Sequence, residues 1–167
     1  MSTESRALGV IDYNTLEAIA GRIIPTTDTP GAIEAGAVDY INQALAGPYG
    51  RHLGTYERGI AELNHHCTAK LGKPFAELAG QQQDEILKTL EAGRLESVAD
   101  SQRFFNLVRT HVMEGFFCEP HYGGNRGMIG WKLVGFPGQQ YGYDDPYINR
   151  AIDLEPVASP EVPQRRK

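Results

Sequence analysis

A thiol and two imidazoles stand close together late in the chain, at His111, Cys118 and His121. A cysteine beside a histidine is the composition of an activated nucleophile, and the same residue types build soft metal sites. The spacing argues against both. No pair drawn from His52, His65, His66, His111, His121, Cys67 and Cys118 has the separation of a standard zinc motif. Cys118 also falls where a helical pattern ends, and the negative end of a helix disfavours a thiolate. His65-His66-Cys67 reads as two surface histidines beside a buried, hydrophobe-like cysteine. Gly123, Gly124, Gly127 and Gly130 run as G-G-x-x-G-x-x-G after a helix, whereas a dinucleotide fingerprint needs G-x-G-x-x-G between a strand and a helix. Gly72-Lys73 is followed by a proline and has no upstream glycine to make a P-loop. Glu57, Glu62, Asp84, Glu85, Glu91 and Glu96 are scattered over solvated faces, and there is no Gly-x-Ser-x-Gly. These residues compose no complete catalytic, cofactor-binding or metal site. A stand-alone thiol- or metal-dependent small enzyme is the alternative they leave open.

The elements that would carry these residues are helical. The chain has 167 residues, 41% hydrophobic and 22% charged, the balance of one ordinary globular domain with a core of its own. Leu16, Ile19, Ala20, Ile23 and Ile24 share one face of a helix that Asn14 opens, with Glu17 as a capping-box partner and Pro25 as its stop. A second helix is expected from Ala32 to about Leu45, with Ile33, Ala37, Tyr40, Ile41, Ala44 and Leu45 on one face. A third runs roughly from Arg51 to Leu71, with Leu53, Tyr56, Ile60, Leu63, Cys67 and Leu71 at alternating three- and four-residue spacing on one face. A fourth covers about Gln81 to Glu91, with Ile86, Leu87 and Leu90 inward. Asp100 or Ser101 caps a fifth, whose core face is Phe104, Phe105, Val108, Val112 and Phe116. Beyond Pro120, glycines alternate with aromatics, and Trp131 to Val134 reads equally as a short helix or a strand. From Asp153 onward Pro156, Pro160 and Pro163 favour extended backbone. The expected fold is all-α: a bundle of about five helices, then an irregular Gly/aromatic-rich segment and an extended tail. Residues 1–13 are read as an N-terminal arm, 14–151 as one helical domain and 152–167 as the Pro-rich tail.

Charge narrows the partners. Sixteen basic against 21 acidic residues leave a net charge of −5, which disfavours nucleic acid. No apolar run approaches the ~18 residues of a membrane span, so direct membrane insertion is not expected. The Gly-aromatic stretch is rich in anchors of the kind protein interfaces use. A self-packed cap over the helices is an equally consistent reading.

The stretch from Phe104 to Gly138, FFNLVRTHVMEGFFCEPHYGGNRGMIGWKLVGFPG, resembles the signature of the gluconate 2-dehydrogenase subunit 3 family. Its parts are Phe-Phe-x-Leu-x-Arg, Glu-Gly-Phe-Phe, Pro-x-Tyr-Gly-Gly-Asn and Gly-Trp-Lys-x-x-Gly-Phe-Pro-Gly. Leu16 to Gly36 is similar to the start of the same family. The resemblance implies a small, non-catalytic subunit that binds no cofactor itself. Its partner would be a large flavoprotein of the glucose–methanol–choline oxidoreductase type, carrying FAD and oxidising a sugar, sugar acid or glycoside. A cytochrome c subunit or another acceptor would take the electrons. A flavoprotein-specific chaperone is a further alternative. The resemblance implies a periplasmic setting, yet residues 1–10 show neither the basic nor the apolar region of an export signal, and no Arg-Arg precedes an apolar stretch; a native start would make the protein cytoplasmic. The motif and the aromatic content together nominate Phe117, Cys118, Tyr122, Gly123, Gly124, Asn125, Arg126, Trp131, Phe136, Tyr141 and Tyr143 as partner-interface residues. Cys118 is also a candidate for a disulfide to the partner, against a buried reduced thiol.

Overall fold

The computed structural model describes residues 7–138 and 155–159. Tyr141, Tyr143, Leu154 and residues 160–167 lie outside them. The described residues form six helices and no strand: α1 (Val10–Ile23), α2 (Ala37–Leu45), α3 (Leu53–Leu71), α4 (Gly80–Glu91), α5 (Ser101–Phe117) and α6 (Ile129–Val134). Short 3-10 turns lie at Gly50–His52, Phe75–Glu77, Pro120–Tyr122 and Arg126–Met128. The fold is all-α.

α5 is the axis of the bundle, packing against every other helix. Its apolar period is why. Phe104, Phe105, Val108, Val112 and Phe116 recur at three- and four-residue intervals and are all buried, so one stripe faces α1, α3 and α4. Leu16, Ile19, Ile41, Ile60, Leu63 and Leu90 meet it as almost fully buried side chains. Each contributes about 1.5–3 kcal/mol by leaving water. Trp131 to Val134 resolves as helix, inside α6.

Two helix starts differ from the sequence expectation, and a third agrees with it in position. α1 starts at Val10 rather than Asn14, because Leu8 is buried and the Asn42 side chain accepts hydrogen bonds from the backbone N–H groups of Ala7 and Leu8. With the chain pinned there, the helix begins at once, and the Asn14 capping box does not form. α2 starts at Ala37 rather than Ala32, since residues 32–36 form turns that end on Gly36 with φ +69°; Ile33 consequently stays 46% exposed. α5 starts at Ser101 with Asp100 at the N-cap, as expected, although Asp100 has φ +49° and makes no side-chain capping bond.

Buried and half-buried polar side chains stitch the bundle together. Asn64 donates to Thr15 Oγ1 and accepts from the Phe75 N–H, while Gln83 donates to the Phe75 carbonyl. His111 lies between two tyrosine rings, stacked on Tyr49 at 4.6 Å between centroids and on Tyr56 at 5.9 Å. Its Nδ1 is 2.9 Å from the Tyr56 hydroxyl.

This packing sets two expected outcomes. A Cβ at Gly59 would stand 2.5 Å from the buried Phe104 ring where α3 crosses α5, so Gly59→Ala should destabilise the chain by about 1–3 kcal/mol in chemical denaturation. Burial holds the His111 imidazole below its ordinary value of 6.5, with Glu114 opposing and His52 and Arg51 adding to the depression. The fold therefore favours the neutral ring, and the unfolded chain binds the proton more readily. The stabilisation is complete above pH about 6.5 and is lost as pH falls through the lower folded value. The urea midpoint should fall more steeply between pH 7.5 and 5.5 in the wild type than in His111→Gln, and parallel slopes would contradict this.

Candidate partner interface

α5 ends because Cys118 turns to extended backbone and Pro120 comes soon after. A helix end leaves carbonyls without intrahelical partners, and the chain beyond α5 folds back to supply donors. The Asn125 N–H donates to the Gly115 carbonyl at 2.8 Å. The Asn125 side chain donates through Nδ2 to the Cys118 carbonyl at 2.9 Å, and its Oδ1 accepts from the Gly130 N–H at 2.8 Å. Trp131 Nε1 donates to the Phe117 carbonyl at 2.7 Å. The approach is backbone on backbone. A Cβ on Gly124 would stand 2.1 Å from the Gly115 carbonyl oxygen, and one on Gly130 2.1 Å from that of Phe116. Only glycine admits such contact. Residues 118–136 are thus a cap seated on the last turn of α5.

Arg126 ties the cap to the bundle. Its N–H donates to the Ala35 carbonyl at 3.0 Å, and its guanidinium pairs with Asp39, which also accepts from the Tyr13 hydroxyl at 2.6 Å. Burial first, then the Asp39 hydrogen bond and charge, pushes the Tyr13 phenol well above its ordinary value, so it stays a donor. The Arg126 side chain is 57% exposed, and the ion pair orients the cap more than it stabilises it.

The nominated residues separate into two groups. Gly124, Asn125 and Trp131 are buried within the chain, Asn125 completely and Trp131 with 5% of its surface left. Phe117, Cys118 and Gly123 are half-buried. Tyr122, Arg126 and Phe136 face solvent, Phe136 edge-on to Trp131 at 5.1 Å. Tyr141 and Tyr143 lie outside the described residues. Cys118 is free, its Sγ 3.6 Å from the Gly115 carbonyl, and burial pushes its thiol up from the ordinary value. His111 is engaged with Tyr56 instead. Among the described residues no three His, Cys, Asp or Glu side chains group as metal ligands, and no helix is long and apolar enough to cross a membrane.

Sequence reasoning missed Leu133 and Val134, which with Phe136 and Val157 are left exposed at the end of the chain's cap. Leu133 and Val134 fall three residues beyond Gly130 and Trp131, so helical periodicity places them inward. The tertiary fold leaves them 48% and 60% exposed. Residues 155–159 lie against this end of the cap. The Val157 N–H donates to the Pro137 carbonyl in a parallel bridge with Gly138, and Ser159 donates through N–H and hydroxyl to the Glu119 carboxylate. That stretch of the Pro-rich tail is held by the chain's own cap, with Val157 turned outward.

Asn125→Ala should cost about 3 kcal/mol, since it strands a buried carbonyl and a buried N–H and puts alanine in left-handed backbone. Urea unfolding followed by the fluorescence of Trp131 should show the lower midpoint and a red-shifted native signal. A loss under about 1 kcal/mol would mean that Asn125 does not hold the cap.

No curated protein and no solved structure matches the chain. The sequence profile described as Gluconate 2-dehydrogenase subunit 3 matches residues 11–138, from the second residue of α1 to just beyond the cap. With most of its length inside that match, the chain belongs to the gluconate 2-dehydrogenase subunit 3 family.

Proposed function

We propose that this chain is the non-catalytic small subunit that binds and stabilises the FAD-containing large subunit of a sugar, sugar-acid or glycoside dehydrogenase. The family is that of an accessory subunit of a dehydrogenase complex; the identity of the large subunit and of its cofactor is the step proposed. In this reading the partner is of the glucose–methanol–choline type. It oxidises a sugar hydroxyl to a ketone and passes electrons to an external acceptor such as a cytochrome c subunit.

The observation that carries the reading is the strip Leu133, Val134, Phe136 and Val157, each about half or more exposed. Contiguous apolar side chains left in water mark an interaction surface. This one is backed by the buried Trp131 indole and the Gly138–Val157 bridge, so it is presented on a fixed frame and little ordering entropy is lost on docking.

Co-expression tests it. The chain and a glucose–methanol–choline flavoprotein should co-purify as a yellow, dye-reducing complex. Phe136→Glu with Leu133→Glu should weaken association by at least about tenfold, while the melting temperature of the isolated chain stays within a degree or two of wild type. Unchanged association would remove the strip from the interface. A flavoprotein that keeps its flavin and activity after the small chain is stripped away would favour the chaperone reading.

A further inference from the structure

A second recognition feature adjoins the cap on the α2 side. A groove of about 450 Å³ opens between α2, the turn at Pro48-Tyr49 and the 3-10 turn Pro120–Tyr122. Three tyrosines line it, Tyr40, Tyr49 and Tyr122, with Gln43 and His121 among the polar groups, and neither Lys nor Arg is among its lining residues. The hydroxyls of Tyr40 and Tyr49 both donate to Glu114 Oε2, at 3.3 and 3.1 Å, so a carboxylate of α5 lies behind the aromatic wall. One face of Tyr49 is covered by His111, which fixes that ring. Tyr122 is 56% exposed and packs on His121 at 3.9 Å between centroids.

We infer that this groove takes a cationic side chain, an arginine, of the large partner subunit; the assignment of the source rests on the function proposed above. Aromatic faces carry negative quadrupole potential, and a guanidinium placed over them is attracted by it. Glu114 adds a full negative charge that its two phenol partners disperse without cancelling. Burial keeps the Tyr40 phenol well above its ordinary value, so it remains a donor to Glu114 and the carboxylate stays oriented. Arginine suits the site better than lysine because its planar group stacks on tyrosine while its edge donates to the Gln43 side-chain carbonyl of the lining, with the Glu114 charge behind the rings. The groove is also continuous with the cap, since Gly123, next in the chain after Tyr122, lies against the Gln43 amide. His121 and Tyr122 of the cap line the groove, so a partner docked on that end of the cap reaches it.

The first arm uses the isolated full-length chain and N-acetyl-arginine methylamide, followed by NMR of the tyrosine rings. Saturable shifts at Tyr40, Tyr49 and Tyr122 are expected, at least about fivefold weaker with the uncharged citrulline analogue and in Tyr122→Ala or Glu114→Gln. Equal response to the citrulline analogue, or no response, overturns the cation site and leaves the subunit role untouched. The second arm replaces Arg165, Arg166 and Lys167 by alanine in the full chain. Tighter probe binding in that variant would make the chain's own basic end the occupant and overturn the partner assignment. The third arm measures association with the flavoprotein, where Tyr122→Ala should weaken it about fivefold with the apolar strip intact. Wild-type association in Tyr122→Ala overturns the assignment to the partner. Absence of any complex with the wild-type chain removes the subunit role, and the assignment falls with it.

Discussion

The last turn of α5 presents the carbonyls of Gly115, Phe117 and Cys118 to a loop that must come close enough to satisfy them. A buried carbonyl without a donor costs about 1–3 kcal/mol, so a helix end covered by the chain that follows dictates the path of that segment. Here the answer is a cap whose backbone touches the helix backbone. Gly124 and Gly130 make that distance possible, and Asn125 serves both sides of the gap with one side chain. Gly115 extends the same constraint to the other side of α5, where a Cβ would stand 2.7 Å from the Ala37 carbonyl. The helix end is gripped between α2 and the cap.

This grip also decides what the surface offers. Trp131 is drawn inward to reach the Phe117 carbonyl, and α6 is turned so that its second half leaves the body. Leu133, Val134 and Phe136 emerge as a strip on a rigid base, with Val157 bridged to its edge. On the α2 side the tyrosines that surround Glu114 are positioned by the same helix turn, since Glu114 and Gly115 are neighbours in α5. The chain presents two chemically different patches, one apolar and one aromatic and acidic, and both hang from a single helix end.

The sequence reading of the Gly-aromatic stretch held two possibilities, interface and self-packed cap. The structure divides the stretch by residue. Asn125 and Trp131 belong to the packing, and Tyr122 and Phe136 to the surface. No property of the sequence separates these pairs, because an aromatic that closes a core and one that awaits a partner have the same composition and the same glycine neighbours. The difference lies in whether a carbonyl of α5 stands within reach of the side chain.

What the chain determined by itself was its helical skeleton. The three- and four-residue recurrence of Leu16 to Ile23, Tyr56 to Cys67 and Phe104 to Phe116 is a local property, and breakers at Pro25, Gly72 and Pro120 close each segment. Leu16, Ile19, Tyr56, Ile60, Leu63, Cys67 and the α5 stripe are buried as their period requires, whereas Leu71, expected on the same face of α3, is 43% exposed at the helix end, where the described residues leave it uncovered. The start of α1, the turns before α2 and the outward face of α6 were not legible, since each depends on a contact between residues far apart in sequence. Asn42 reaches Leu8, Arg126 reaches Asp39 and Ala35, and Trp131 reaches Phe117. Periodicity reports which face of a helix is apolar, and only the assembled bundle decides how far along that helix there is something to cover it.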